Sequence, residues 1–405
     1  MRVFSLLVGL SLLLASTAAL ALPTKTQVVV IGNNFGDPHE IGLRFAQDDA
    51  NAVGEVLRRL GGVPSSQITT LLDADADAVR AALLRANDSL RGAQHAALVV
   101  YYSGHADADA LHLGGTRLRF EELKALVKAS PAPVRILMVD GCRSGGLSRV
   151  KGVKAAPTFA MNLEDEPTAE GMAVITSSTA DESSQESDHL GGSFFSHHLV
   201  NGLRGAADRD ADGTVTLAEA YAYAYDGTIR SSGQTMTLQH PTYAWDMKGR
   251  GGLVMTRVVS ATARSGRLVL DTTALHLVTA APGGQVVAEV QPLRPRTTLS
   301  LAPGRYRVQE RRDRVYLDYQ VTLTPSQVVD LATLPARTLE YDRLVRKGGG
   351  VQRAIHGLNV MGGARGEIIG GEGTTSHLLV GYGVDTEYLS AGLRLRGSTL
   401  AVSAD

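Results

Sequence analysis

The sequence predicts an α/β domain with a central, mostly parallel sheet over residues 24–257, a small all-β sandwich-like domain over 264–340 and a glycine-rich β tail over 348–405. Three observations carry this. Residues 27–31, 96–102 and 134–139 are apolar runs rich in β-branched and aromatic residues, interrupted only by Gln27 and Arg135, of the kind found in parallel strands covered on both faces. Stretches of helical length lie between them, which is the alternation of a parallel sheet. Beyond about Arg257 the helical periods stop, and short alternating segments separated by turns take over.

The chain opens with a segment that belongs to none of these. Arg2, an apolar run over 3–14 and small residues ending in Ala19-Leu20-Ala21 have the pattern of a secretory signal peptide over 1–21. Cleavage after Ala21 and a secreted or periplasmic protein are expected. The apolar run falls short of the roughly 20 residues that a spanning helix needs. A net charge of −1 predicts no general affinity for nucleic acid, and 44% hydrophobic residues allow a sizeable core.

From Thr26 the elements follow in order. The strand over 27–32 leads to a helix from about Phe45 to Leu60, with Asp48 and Asp49 near its positive end and Gly61-Gly62 as its stop. A strand over 66–72 precedes a helix over 75–90 whose buried side is expected to hold Val79, Leu83, Leu84 and Leu90. The third strand, over 96–102, runs into Ser103-Gly104-His105-Ala106-Asp107. After a helix near 120–129, the strand over 134–139 runs into Asp140-Gly141-Cys142-Arg143-Ser144-Gly145-Gly146.

Cys142 is the only cysteine in 405 residues. A lone cysteine is often just a small buried hydrophobe. An exported chain with one cysteine can form no internal disulfide, however, so the residue calls for a chemical explanation. Its place at the carboxyl end of a strand is where α/β sheets collect their chemistry. His105 has the equivalent place on the preceding strand. Two such loops leave one sheet edge about 5 Å apart, close enough for an imidazole to activate a thiol and later protonate a leaving amine.

Tyr101-Tyr102-Ser103-Gly104-His105 and the run from Asp140 to Gly146 resemble the histidine and cysteine motifs of the caspase-like cysteine peptidases, the clan of caspases, legumain and gingipain, and are most similar to its bacterial metacaspase-type members. The resemblance extends over about 26–256. It takes in Asp48-Asp49-Ala50, a strand over 172–179 with a Ser-Ser pair, Gly192-Ser193-Phe194-Phe195, Gln239-His240-Pro241 and Gly251-Gly252-Leu253-Val254. It implies a three-layer domain in which Cys142 attacks the scissile carbonyl and His105 protonates the leaving amine. The oxyanion would meet the N–H groups of Cys142 and Ala106, the latter standing where the family usually has glycine. By the same resemblance Asp140, Asp49 and Ser103 would line an S1 pocket for arginine or lysine. Caspases instead bind aspartate through arginines, and Arg44 lies near the place of one of them.

The connection after Gly146 is composed like an exposed linker, and a basic S1 preference would make Lys151 and Lys154 candidate self-cleavage sites. Residues 208–219 match the EF-hand loop of about 12 residues. Asp208, Asp210 and Asp212 would surround Ca²⁺, Gly213 would make the turn, Thr214 would offer its carbonyl and Glu219 would close the site. The competing interpretation is an acidic capping loop without metal. No organic cofactor is expected. His197 and His198 fit a helix better than a zinc site.

The C-terminal strands are expected at 267–270, 285–290, 298–301, 305–308, 315–323 and 328–331, with tail strands at 378–383 and 391–397. The expectation as a whole is an exported cysteine endopeptidase that acts on proteins or peptides after Arg or Lys, with calcium. Its C-terminal β regions would associate with the cell envelope; oligomeric state is left open. The alternatives are a catalytically silent binding or scaffold protein at the cell surface, and an Asp-specific peptidase of the same fold.

Overall fold

The computed structural model describes residues 20–21, 25–142, 170–179, 182–235, 237–248, 252–258, 265–271, 274–291, 296–341, 355–365, 375–385 and 390–400. Most of the expected signal peptide and the whole linker with Lys151 and Lys154 lie outside the described residues. Leu20–Ala21 pairs in parallel with Leu253 and Val254.

In chain order the first part consists of β1 (Lys25–Asn33), α1 (Ala46–Arg59), β2 (Ile68–Leu72), α2 (Ala76–Ser89), β3 (Ala96–Gly104) and the hairpin β4 (Ala110–Leu113) and β5 (Thr116–Arg119). It continues with α3 (Phe120–Lys128), β6 (Val134–Asp140), β7 (Glu170–Thr176), α4 (Phe194–Asn201), β8 (Thr214–Thr216), α5 (Leu217–Ser232), β9 (Thr242–Lys248) and β10 (Leu253–Arg257). The central sheet has the order β9-β7-β6-β3-β1-β2. All its pairings are parallel except the β9–β7 edge.

Strand alternation divides this sheet between two cores. Val28 and Val30 of β1 pack with Val53 and Leu57 of α1 and Phe195 and Leu199 of α4. Val29 and Ile31 face Val79 and Leu83 of α2 and Leu123 and Val127 of α3. Both faces are covered, which is why these strands read as continuous apolar runs. Asp75 caps α2 by accepting from Ala78 N–H at 2.8 Å. Leu84, expected on the buried side of α2, is 56% exposed, since the helix already fills its groove with Val79, Leu83 and Leu90.

The sandwich comprises β11 (Gly266–Asp271), β12 (Leu275–Ala280), β13 (Val286–Val290), β14 (Arg296–Leu301), β15 (Gly304–Arg311), β16 (Val315–Leu323), β17 (Val328–Asp330) and β18 (Arg337–Glu340). Its sheets run β14-β11-β17 and β13-β12-β15-β16-β18. Leu268, Leu299 and Val308 belong to the same continuous core as Phe195 and Leu203, so the chain up to Glu340 forms one compact unit. Residues 341–405 form a second. There β19 (Ile355–Arg365), β20 (Thr375–Asp385) and β21 (Ser390–Leu400) make a three-stranded antiparallel sheet, one strand more than expected. Leu358, Tyr382 and Leu393 are in register, as are Val360, Val380 and Leu395, and all six are exposed on one face.

Candidate active site

Register places the two reactive residues. Ser103 of β3 pairs with Asp140 of β6, and His105 and Cys142 each follow two residues later from the same sheet edge. Buried serines fix the peptide before the cysteine: Gly141 N–H donates to Ser177 Oγ and Gly141 C=O accepts from Ser178 Oγ, both at 3.2 Å. On the neighbouring loop Tyr102 Oη donates to His105 C=O at 2.6 Å, and His112 N–H donates to the same oxygen at 2.9 Å.

The two loops touch where an oxyanion would sit. A Cβ on Gly141 would lie 3.1 Å from Ala106 Cβ and 3.8 Å from Ala106 N, so position 141 has room for hydrogen alone beside Gly104 C=O. Ala106 keeps its N–H, and its methyl fits against Gly141. Cys142 Sγ is 3.8 Å from Ser184 C=O. Burial pushes the Cys142 thiol up, the Ser184 and Ser183 contacts pull part of that back, and the Asp140 and Glu40 charges add to it. The surroundings of the sulfur thus favour the thiol over the thiolate. His105 Nε2 donates to Ile41 C=O at 2.9 Å, which leaves Nδ1 as the ring nitrogen with a free lone pair.

Beneath the dyad the structure gathers Asp49, Asp140 and Ser103, all at least nine-tenths buried. Ser103 Oγ donates to Asp49 at 3.2 Å, as does Ser193 N–H. Asp140 accepts from Ser184 Oγ and Ser196 Oγ, both at 2.6 Å, and from Ser193 Oγ. Tyr101 Oη adjoins Ser196 Oγ. Among the described residues, hydroxyls and an N–H hold these two carboxylates, and no lysine or arginine does. Burial drives the Asp49 carboxyl well above its ordinary value, and the Asp140 charge pushes the same way against the Ser193 and Ser103 hydrogen bonds. Arg44 stands apart, paired with Asp188 at 2.7 Å on the surface.

Ser184 and Ser196 gave no signal in the sequence, and the Gly-Ser-Phe-Phe run marked Ser193 without showing what it holds. Ser184, Ser193 and Ser196 lie 44 to 56 residues from the Asp140 carboxylate they hold. Gln239 pins the loop that carries Ser184: its Nε2 donates to Ser177 C=O at 2.9 Å and to Ser184 Oγ at 3.2 Å. The Gln-His-Pro run was visible, but not what it fastens. Ile41 contributes only a carbonyl, which side-chain patterns cannot reveal.

The acidic loop lies elsewhere, between α4 and α5. Asp208, Asp210 and Asp212 bring carboxylate oxygens within 4.8 Å of one another, an arrangement able to hold a hard cation. Gly213 turns with φ 81°, and Val215 pairs with Thr256. Thr214 N–H and Oγ1 both donate to Asp212, at 2.6 and 2.7 Å. Glu219 takes a different partner from the one expected. It forms a capping box with Thr216 at the start of α5 and accepts from Arg209 N–H at 3.0 Å. His197 and His198 lie on α4, and His198 bonds Ser231 Oγ at 2.8 Å, its imidazole pushed down to about 3 by burial.

The family described as the caspase domain matches residues 25–223. A solved structure, caspase-1 from Spodoptera frugiperda, aligns at 14% identity over 64% of this chain and 100% of its own, with a TM-score of 0.44. No curated protein matches the chain in sequence.

Proposed function

Residues 25–223 belong to the caspase-domain family, and from that membership we propose that this protein is an active cysteine endopeptidase of metacaspase type that cuts after arginine or lysine. The cysteine-peptidase character comes from the family, which implies protein or peptide substrates. The single observation that supports the basic preference is the pair of buried carboxylates, Asp49 and Asp140, with hydroxyl partners and no cation among the described residues. A buried carboxylate pair gains most from a cationic guest. Arg44, the residue that could have favoured aspartate, is already paired at the surface.

In this mechanism His105 Nδ1 takes the Cys142 proton as sulfur attacks the scissile carbonyl carbon. The N–H groups of Ala106 and Cys142 receive the oxyanion. Collapse breaks the C–N bond, and Nδ1 gives its proton to the leaving amine. Water, deprotonated by His105, then attacks the thioester, the C–S bond breaks and the thiol regains its proton. An irreversible peptidyl fluoromethyl ketone with arginine at P1 tests the proposal. Intact mass should show one adduct on wild type and none on Cys142→Ala, whereas labelling by an aspartyl analogue alone would contradict it.

Export through residues 1–21, self-cleavage at Lys151 or Lys154 and a Ca²⁺ in the Asp208 loop, completed by Asp210, Asp212, the Thr214 carbonyl and a reoriented Glu219, are parts of the same proposal. So is envelope association through the tail, supported by the exposed apolar face of its sheet.

A further inference from the structure

We propose that Glu40 is a positioning residue for the Cys142/His105 pair: its carboxylate faces the proton-accepting edge of His105 and holds the imidazolium that forms during turnover. This inference rests on the peptidase proposal above. With Nε2 committed to Ile41 C=O, Nδ1 is the working nitrogen, and Glu40 Oε1 lies 3.9 Å from it. Ile41, the next residue, supplies the carbonyl on the other side of the ring, so one short loop addresses both nitrogens.

Glu40 is itself built in. Its two oxygens accept from His112 Nδ1 at 2.8 and 2.9 Å, and it also accepts from Asp37 N–H at 2.6 Å. His112 is buried on β4, with its Nε2 3.0 Å from Asp107, and Arg117 of β5 bridges Asp107 and Asp37. Gly36 packs so close that a Cβ there would lie 2.8 Å from His105 Cβ. The charged and titratable groups around Glu40 are Asp37 on its own loop, Tyr102 of β3, His105, His112, Arg117 and Cys142. Burial opposes ionisation of Glu40, but the Asp37 N–H and the two imidazoles outweigh it, and the carboxyl stays below its usual range.

A fixed anion at this place acts selectively along the reaction. Once sulfur has formed its bond to the carbonyl carbon, the sulfur is neutral and His105 carries the transferred proton. A carboxylate beside Nδ1 stabilises that stage, whereas next to a free thiolate it is repulsive. The charge therefore favours proton transfer coupled to attack over a resting thiolate–imidazolium pair.

Glu40→Gln keeps the shape and removes the charge. The alkylation rate of Cys142 by iodoacetamide, followed against pH, should shift about one pH unit toward acid. With arginyl peptides kcat should fall about tenfold with little change in KM, and the pH profile should move in the same direction. An alkylation profile that does not move in the folded variant would overturn the proposal, since a merely structural role lowers activity without moving it. If Glu40→Gln does not fold, Glu40→Asp, which withdraws the charge by one methylene, is read in the same way and should show a smaller shift. Alkylation needs no peptide. Wild type that cuts nothing, with the alkylation profile of Glu40→Gln still shifted from that of wild type, would remove the peptidase proposal and leave the placement of Glu40 standing.

Discussion

Asp49 shows how a single residue can cost stability and serve a site. Its carboxyl titrates above the ordinary range in the fold, so between the unfolded and folded values the native state binds more protons, and stability falls as pH rises through that window. Asp49→Asn cannot ionise. It should lose this pH dependence and melt higher than wild type at pH 7, by about 2–4 °C per kcal/mol relieved. Its kcat/KM for arginyl or lysyl substrates should fall on the order of 10²-fold, because one carboxylate facing the cation is gone. A variant that melts lower and cleaves as well as wild type would contradict both halves. Cys142 and His105 stood out in the sequence because each follows a strand end, where position implies neighbours, whereas Asp49, Asp140 and Ser103 were grouped only by the family resemblance. Glu40 and Ser184 did not stand out: each lies in a loop without periodicity, and what it touches depends on how distant segments meet.

At the scale of elements, the acidic loop and α5 act as one piece. Glu219 serves the Thr216 capping box in the structure, so calcium would draw on a side chain that already stabilises a helix start. Thr216→Ala should cost about 1 kcal/mol of stability without calcium. Calcium should raise the melting temperature of wild type and leave Asp210→Asn/Asp212→Asn unchanged, because three carboxylates within 4.8 Å repel one another until a cation joins them. Identical melting with calcium and with chelator would remove the metal from the account. The 3.6 and 2.0 periods located β1, β2, β3 and β6 and the helices α1 to α3, but not the hairpin β4–β5, β9 or the first tail strand β19. The strands at Leu275–Ala280 and Arg337–Glu340 escaped because they are short and lack flanking signals as clear as the Pro-Gly turn at 303–304.

The whole molecule divides in an order that the sequence only partly foretold. Composition separated a sandwich from the α/β domain, yet Leu268, Leu299 and Val308 share one core with Phe195 and Leu203. Alternation marks which face of a strand is buried, not which neighbour buries it. Ending the chain after Val258 should therefore expose part of that core and yield insoluble or loosely packed protein. Ending it after Glu340 should leave the melting temperature and Cys142 alkylation unchanged, since 341–405 is a separate compact unit. The shorter protein should also lose flotation with lipid vesicles if the exposed Leu358, Val380 and Leu395 face meets the envelope. Equal flotation of both proteins would move that function away from the tail.

The proposed activity is that of a Cys142/His105 endopeptidase with an acidic S1 pocket. It is tested most directly by cleavage of fluorogenic peptides that end in arginine, lysine or aspartate, by wild type and by Cys142→Ala, each with calcium and with chelator. Turnover after arginine and lysine is expected from wild type and none from the variant. Rapid cleavage after aspartate with none after arginine would contradict the pocket, and wild-type protein, freed of any linker by limited proteolysis, that cuts no peptide would contradict the enzyme.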